Sequence, residues 1–568
     1  MLMVNISSHR IFHLFLLQLF TTTVLLLSVA STKEIPFHDQ NIQYYGRWQR
    51  TSTYISNSWP GAYFRVILDK TRFIKLDLFD SSTSVTVQLN KGQYRSFNSS
   101  TSSIINLFPE GLDTEGPHEL TVISNAIALN ELGTRLRSIL VDETSVTLPP
   151  SRNKPSIEFI GHDLTLGLQS SQQILSSFSW KASEFAGLEH SYVAYENATL
   201  IDGIENIYFD GLQSNYHQQQ QIAVNNSLWG VVVLLGTNDR HKGYASDEYL
   251  DRLTLFLSKL RRQRLSENAP IFILSEPLGD MYRPSQQSVL DLTQQGDQYV
   301  YFIDTTAWLR YGLTYYKDDG HLTDTGHDLL AKKLATLLEA KLTHPREPLP
   351  GPLPNPNLPG DWQTTDIGEE SRIGLPGTVS ADSDSTFTLW GSGADIDNEA
   401  DAFRFVYQPL LEQGVIEGTV RSHSAFAKCA KAGIMVREHL GHGAPSIMIG
   451  ISPAEGIFIQ IRYENTESTK LIKKMKAAPP YRLRLIRHKD NHMFEAQIQH
   501  VEMSTNTDAV WESFAIIPFV LARDVYAGLA VTSCDTSVVS VAKFTEVALY
   551  HTALMAVDTA KPHLFEQQ

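Results

Sequence analysis

Two kinds of hydrophobic pattern alternate along the chain. Between residues 40 and 150, short runs rich in Val, Ile, Phe and Leu (Tyr63–Asp69, Phe73–Leu78, Val85–Leu89) are separated by turns of Asp, Ser, Asn and Gly. Such spacing predicts an all-β unit. The character changes over residues 154–343, where apolar runs at Ile157–Ile160, Val231–Leu235, Ile271–Leu274 and Tyr299–Ile303 are interleaved with helical periodicity. In Asp247–Arg262, Leu250, Leu253, Leu257 and Leu260 recur at intervals of three and four, so they line one face of a helix. Gly326–Leu342 closes the segment as a second clear helix. Short buried strands alternating with helices imply a parallel sheet covered on both faces, a three-layer α/β unit. Residues 344–360 hold seven prolines and predict an extended spacer and a strong domain boundary. β character returns over residues 361–560, at Phe403–Tyr407, Ala432–Arg437, Ile457–Arg462, Tyr481–Arg487 and Val525–Thr532. The predicted fold class is multidomain: a β-sandwich, a three-layer α/β domain and a second β-sandwich.

At 568 residues the chain is too long for one core, as three domains require. Its 47 Lys+Arg stand against 62 Asp+Glu. No basic stripe interleaves with aromatics, which argues against nucleic acid as a partner. Residues 1–31 read as a secretory signal: His9-Arg10, an apolar run to Val29, then small Ala30 and Ser31. The same run, roughly 19 residues, is also long enough for a single-pass anchor, although Thr21-Thr22-Thr23, His13 and Gln18 weaken it. Cleavage would leave a secreted chain with no membrane association, expected as a monomer. Three Asn-x-Ser/Thr triplets follow, at Asn98, Asn197 and Asn225, and with a signal peptide they suit a glycoprotein. The two cysteines, Cys429 and Cys534, allow either a disulfide or two buried thiols. No Cys-x-x-Cys or His-Glu-x-x-His pattern points to zinc.

The candidate chemistry lies at the ends of the apolar strands of the middle segment. Ile157–Ile160 runs into Gly161-His162-Asp163-Leu164-Thr165-Leu166-Gly167, Val231–Leu235 into Gly236-Thr237-Asn238-Asp239, and Asp318-Asp319-Gly320-His321 precedes the last helix. Each is cheap alone, since Gly-Thr-Asn-Asp is also a plain turn and Asp-Asp-Gly-His a plain loop. In this order they resemble SGNH (GDSL-type) hydrolases, whose first motif reads Gly-Asp-Ser-Leu-Thr-x-Gly. Gly161, Leu164, Thr165 and Gly167 match it, while His162 stands at the family aspartate and Asp163 at the nucleophile serine. The resemblance implies that His321 is the general base, Asp318 the carboxylate orienting it, and Asn238 an oxyanion donor, with no metal or organic cofactor. A second oxyanion donor would be a glycine N–H, but Val193–Thr199, the segment in roughly that place, has no glycine. If Asn197 takes the position and is glycosylated, the pocket would be obstructed. Asp163 cannot act as a hydroxyl nucleophile. Its charge would oppose an oxyanion and, by pairing with His321, would favour imidazolium over the free base.

Tyr45-Gly46-Arg47-Trp48, Trp59-Pro60-Gly61-Ala62-Tyr63-Phe64 and Gly116-Pro117-His118-Glu119-Leu120 narrow the resemblance. They are similar to the jelly roll that precedes the SGNH domain in carbohydrate esterase family two, although turn glycines and a core tryptophan would suit any jelly roll. That family implies secreted deacetylation of polysaccharides, here of the acetylated xylan or glucomannan class. The runs Gly391–Ile396, Ala402–Gln408, Ala432–Glu438 and Tyr526–Ser533 resemble the concanavalin-like sandwich appended to secreted enzymes, which implies glycan binding by analogy of fold alone. Trp362, Trp390 and Trp511 are as readily core residues as sugar platforms. Three functions remain open: an esterase-like polysaccharide protein impaired by Asp163, an active hydrolase using Asp163 as nucleophile or base, and a non-catalytic glycan-binding wall protein.

Overall fold

A computed structural model describes residues 32–551 apart from 58, 82–83, 99–101, 126–132, 151–153, 211–220, 224–227, 350–354, 490–491 and 502–509. Residues 1–31, expected to be a secretory signal, and Asn225 therefore lie outside the described residues. No described helix is long and apolar enough to cross a membrane.

The described chain forms two compact units. The first runs through Asn153 and takes in the strand Gln221–Ala223. It is a sandwich of a seven-stranded and a six-stranded sheet. In Tyr63–Asp69 every second side chain, Phe64, Val66 and Leu68, is buried, because one face of each strand turns to the shared core. Trp48 sits in that core and gives its indole N–H to the Tyr45 carbonyl at 2.9 Å. The sandwich starts earlier than residue 40: Thr32–Pro36 pairs antiparallel with Arg135–Asp142. Gln221–Ala223, far along the chain, adds to it by pairing with Arg47–Arg50.

The second unit holds the α/β domain and the C-terminal sandwich. Five parallel strands lie in the order Glu189–Ala194, Ser156–Gly161, Leu228–Leu234, Ile271–Leu274, Val300–Ile303. Ser156–Gly161 and Ile271–Leu274 are buried throughout, and Leu228–Leu234 from Gly230 onward, as a sheet covered on both faces demands. Phe178–Phe185 packs with Asp324–Thr343, and Ser246–Arg264 with Tyr282–Gln294. In sequence terms the strand order is second, first, third, fourth, fifth, so the chain changes direction between Ser156–Gly161 and Leu228–Leu234. Ligands of open α/β sheets bind beyond the strand ends at such a switch point. Glu189–Ala194 was not legible as a strand because His190 and Ser191 interrupt its apolar run.

The C-terminal sandwich consists of two seven-stranded antiparallel sheets. Cys429 and Cys534 are joined in a disulfide, closing the question their spacing left open. The proline-rich stretch does not separate two compact units, because both its sides cluster in one. Leu358 and Trp362 are buried in the sandwich core, and so is Tyr282 at the start of an α/β helix. Trp362 is therefore a core residue.

Candidate functional site

Three strand ends converge on one group. Ser156–Gly161 delivers His162 and then Asp163, the first residue of the one-turn helix Asp163–Leu166. Glu189–Ala194 leads to Asn197, and Leu228–Leu234 leads to the short helix Thr237–His241 carrying Asn238. The motif residues around Asp163 build this turn. A Cβ on Gly161 would lie 2.0 Å from Thr165 Oγ1 and 2.9 Å from the Leu234 carbonyl oxygen, so only glycine lets the turn close against the neighbouring strand. Gly167 ends the helical turn at φ 63°, a left-handed conformation that favours glycine.

Asp163 is 7 % exposed and fully engaged. The Asn197 backbone N–H donates to both carboxylate oxygens, at 3.1 and 3.0 Å, and Asn238 Nδ2 donates to Oδ2 at 3.1 Å. The second hydrogen of the Asn238 amide holds the Ala198 carbonyl at 3.1 Å. Asn197 has φ 57°, which explains why a glycine would suit this place. The Asn197 side chain is exposed. The same two donors, a backbone N–H and an asparagine amide, are those expected to hold a substrate oxyanion. Here they hold the protein's own carboxylate.

Beneath Asp163 lies a buried charge pair. His162 Nε2 is 2.9 Å from Glu276 Oε1, and Nδ1 is 3.6 Å from Asp163 Oδ2. Burial alone would lower the imidazole pKa, but the Glu276 charge and the bond to Asp163 outweigh it and push it up to about 10. His162 is thus an imidazolium. The Leu164 amide also faces Nδ1, at 3.5 Å, about as near as Asp163 Oδ2 at 3.6 Å, so Glu276 at 2.9 Å is the close partner that favours the protonated ring. Burial likewise acts to raise the Asp163 carboxyl; the bond and charge of His162, the Asn238 amide and the Asn197 N–H bring it down to about 2. Asp239 faces away from the centre and accepts the Leu200 and Ile201 N–H groups at 2.9 and 3.0 Å. Its burial raises it to about 6, against those two bonds. Asn238 therefore serves the site while Asp239 fixes its loop.

Asp318 and His321 come together on the two-strand hairpin Tyr316–Asp318 and His321–Leu322, with Asp318 Oδ1 2.7 Å from His321 Nδ1. Gln169 Nε2 reaches the same ring nitrogen at 3.0 Å and Asp318 Oδ2 at 3.5 Å, and Lys317 Nζ bonds the Gln169 carbonyl. The hairpin strand His321–Leu322 lies against the Asp163–Leu166 turn.

The structure thus brings Asp163 to Asn238 and Asp318 to His321. The expected Asp163–His321 pairing is not present: among the described residues no hydrogen bond or ion pair links them. His162 takes that role because it sits beside the carboxylate with a buried countercharge of its own. Glu276 and Gln169 were not found from the sequence. Glu276 follows the apolar strand Ile271–Leu274, so the strand-end rule that marked Asn238 would have marked it too. One described group has metal-like spacing, Asp395 with Cys429 and Cys534, but its sulfurs are joined to each other.

Sheet order and site together make a three-layer α/β unit with a buried carboxylate, Asp163, at its switch point. No protein-family model matches the chain, and no curated protein does. Among solved structures it is similar to a family two carbohydrate esterase from Cellvibrio japonicus, at 17 % identity over 54 % of this chain and 96 % of that one, with a TM-score of 0.45. It is also similar to one from Clostridium thermocellum in complex with cellohexaose, at 20 % identity over 53 % and 99 %, TM-score 0.44. A third is an acetyl xylan esterase from the rumen bacterium Butyrivibrio proteoclasticus, at 14 % identity over 56 % and 99 %, TM-score 0.46.

Proposed function

We propose that this is a secreted polysaccharide-binding protein on a carbohydrate-esterase scaffold, without serine-type esterase turnover. One observation carries the reading: the oxyanion donors Asn197 N–H and Asn238 Nδ2 are bonded to Asp163. An acyl substrate would have to displace a buried carboxylate from donors that are worth most when they are aimed at developing charge. A carboxyl held near 2 is also a weak base and a poor nucleophile. Acetylated xylan or glucomannan is the class of ligand, and export with glycosylation at Asn98 and Asn197 belongs to the same reading.

The intact Asp318–His321 bond favours a second reading, an altered hydrolase in which Asp163 serves as nucleophile or base. Acetate release and affinity for acetylated xylan and glucomannan, measured on wild type and Asp163→Ser, separate the two. The first reading expects binding by both proteins and acetate release, if any, only from the variant, abolished again by His321→Ala. Acetate release by wild type that Asp163→Ser removes would establish the second reading. Absence of binding to either polysaccharide would overturn the first.

A further inference from the structure

Both loops that carry the polar groups of the site are tied to the C-terminal sandwich. Two residues beyond Asn238, Arg240 pairs with Asp280. The same guanidinium donates to the Asn465 carbonyl and Thr466 Oγ1 of the sandwich, each at 2.8 Å. Asn465 returns a bond through Nδ2 to the Leu278 carbonyl at 3.0 Å. On the other side, the Glu370 N–H donates to the Tyr311 carbonyl at 2.8 Å, and Glu370 Oε2 accepts the Thr314 N–H at 3.3 Å. Thr314 in turn accepts Thr323 Oγ1 at 2.8 Å, two residues past His321. Tyr311 bonds Asp319 through its hydroxyl and lies over the His442 ring at 5.2 Å between centroids.

These ties go beyond what holding two domains together requires. That task is met elsewhere: Asp304 accepts the Tyr282 and Tyr526 hydroxyls at 3.2 and 2.7 Å, Arg283 pairs with Glu438 at 3.0 Å, and Gln286 exchanges bonds with the Asp524 backbone at 3.3 and 3.0 Å. The loop contacts are also closely fitted. A Cβ on Gly312 would come within 2.5 Å of Glu370 Oε2, and one on Gly279 within 2.3 Å of the His439 ring.

We infer that the C-terminal sandwich is a positioning element of the switch-point site, acting through Glu370 on the His321 loop and through Asn465 and Thr466 on the Asn238 loop. The inference rests on the assignment of Asn238 and His321 to that site, but not on what the site binds. A detached glycan-binding module would leave both loops to the α/β domain alone. The sandwich instead adds hydrogen bonds to both segments, and the loss of one of them is read as local opening.

Amide hydrogen exchange on the full-length protein tests this, following peptides over residues 237–243 and 311–323. Loss of one net hydrogen bond corresponds to about a five- to tenfold change in local opening. Glu370→Ala is expected to raise exchange over 311–323 by that factor and leave 237–243 and the strand Ile271–Leu274 unchanged. Thr466→Ala, which removes the hydroxyl that accepts from Arg240, should do the converse. Glu370→Gln keeps an acceptor for Thr314 and should restore protection to within about twofold of wild type, where one bond is the whole effect. Unchanged exchange in both loops in both alanine variants would overturn the inference. So would a rise spread evenly over sheet and sandwich. Because exchange is read without ligand, failure of polysaccharide binding would leave this result standing.

Discussion

Asn238 gives its side-chain amide to the carboxylate of Asp163 at 3.1 Å. A donor of this kind can also hold charge that develops on a substrate. Here the charge is permanent and covalently attached. With the Asn197 N–H on the other side and the His162 imidazolium behind it, Asp163 completes an anion site of which it is itself the occupant.

Removal of the occupant should expose that site. Asp163→Ala leaves the Asn197 N–H and one Asn238 hydrogen without an acceptor and His162 with Glu276 alone. Unsatisfied buried donors cost about 1–3 kcal/mol, so a loss of that order is expected in urea unfolding. Free acetate fits the vacated donors and should raise the melting temperature of the variant, since a ligand that binds only the folded state stabilises it. Wild type should not respond. A variant as stable as wild type, or one indifferent to acetate, would show that these donors do not form an anion site.

The buried imidazolium gives the protein an alkaline weakness. His162 has a folded pKa of about 10 against an ordinary 6.5, so the folded state keeps its proton where the unfolded chain has lost it. The contribution is fully present below 6.5 and is lost as pH rises through about 10. Each pH unit is worth at most about 1.4 kcal/mol, a few kcal/mol in all. Asp163 acts at the other end, with a folded value of about 2 against 3.8; its contribution is present above 3.8 and lost as pH falls toward 2. Urea midpoints for wild type and His162→Gln between neutral pH and the folded-state value isolate the histidine from other alkaline groups. Parallel curves for the two proteins would refute the buried charge pair.

What could be read from the sequence follows from periodicity. The runs Ile157–Ile160 and Ile271–Leu274 lie within strands of the structure, and Asp247–Arg262 lies within the helix Ser246–Arg264, because apolar spacing marks elements that are buried on a regular face. Glu189–Ala194 escaped detection: its buried Glu189, His190 and Ser191 break the apolar run, and they pack against Lys154, the Trp180 ring and Glu158, neighbours that no local pattern encodes. The site divides in the same way. Asn238, Asp318 and His321 follow strand ends or precede a helix, and the resemblance of their motifs to a known family, taken in order, singled them out. Glu276 and Gln169 reach the site through side chains 114 and 152 positions away from their partners, and the true partner of Asp163 was legible only once those distances had closed.

Gly161 tests the turn itself. Its missing Cβ leaves room for Thr165 Oγ1 and the Leu234 carbonyl oxygen; the hydroxyl can rotate away, the carbonyl cannot. Gly161→Ala should therefore force the first and third strands apart at their ends and lower stability by about 1–3 kcal/mol, the range for overpacking a buried position. Because Asp163 follows two residues later, hydrogen exchange at the Asn197 amide should rise in the same variant. Wild-type stability in Gly161→Ala would mean the strand ends are looser than this packing requires.

The disulfide makes a prediction that reaches across the second unit. Lys431–Arg437 pairs with Asp524–Thr532, with Lys431 opposite Thr532, and Cys429 and Cys534 each stand two residues beyond that pair. The bond closes a loop with a sequence separation of 105, for which chain entropy gives about 4–5 kcal/mol, and native disulfides of this kind cost about 2–5 kcal/mol to remove. Cys429 is exposed, so a reductant can reach it. Reduction, or Cys429→Ser with Cys534→Ser, should lower the melting temperature of the sandwich. Since sandwich and α/β domain form one compact unit, the α/β transition should move down with it, as read by exchange in the strand Ile271–Leu274. A fall confined to the sandwich would show that the two domains unfold separately. An unchanged midpoint after complete reduction would show that strand register alone holds the ends of the loop together.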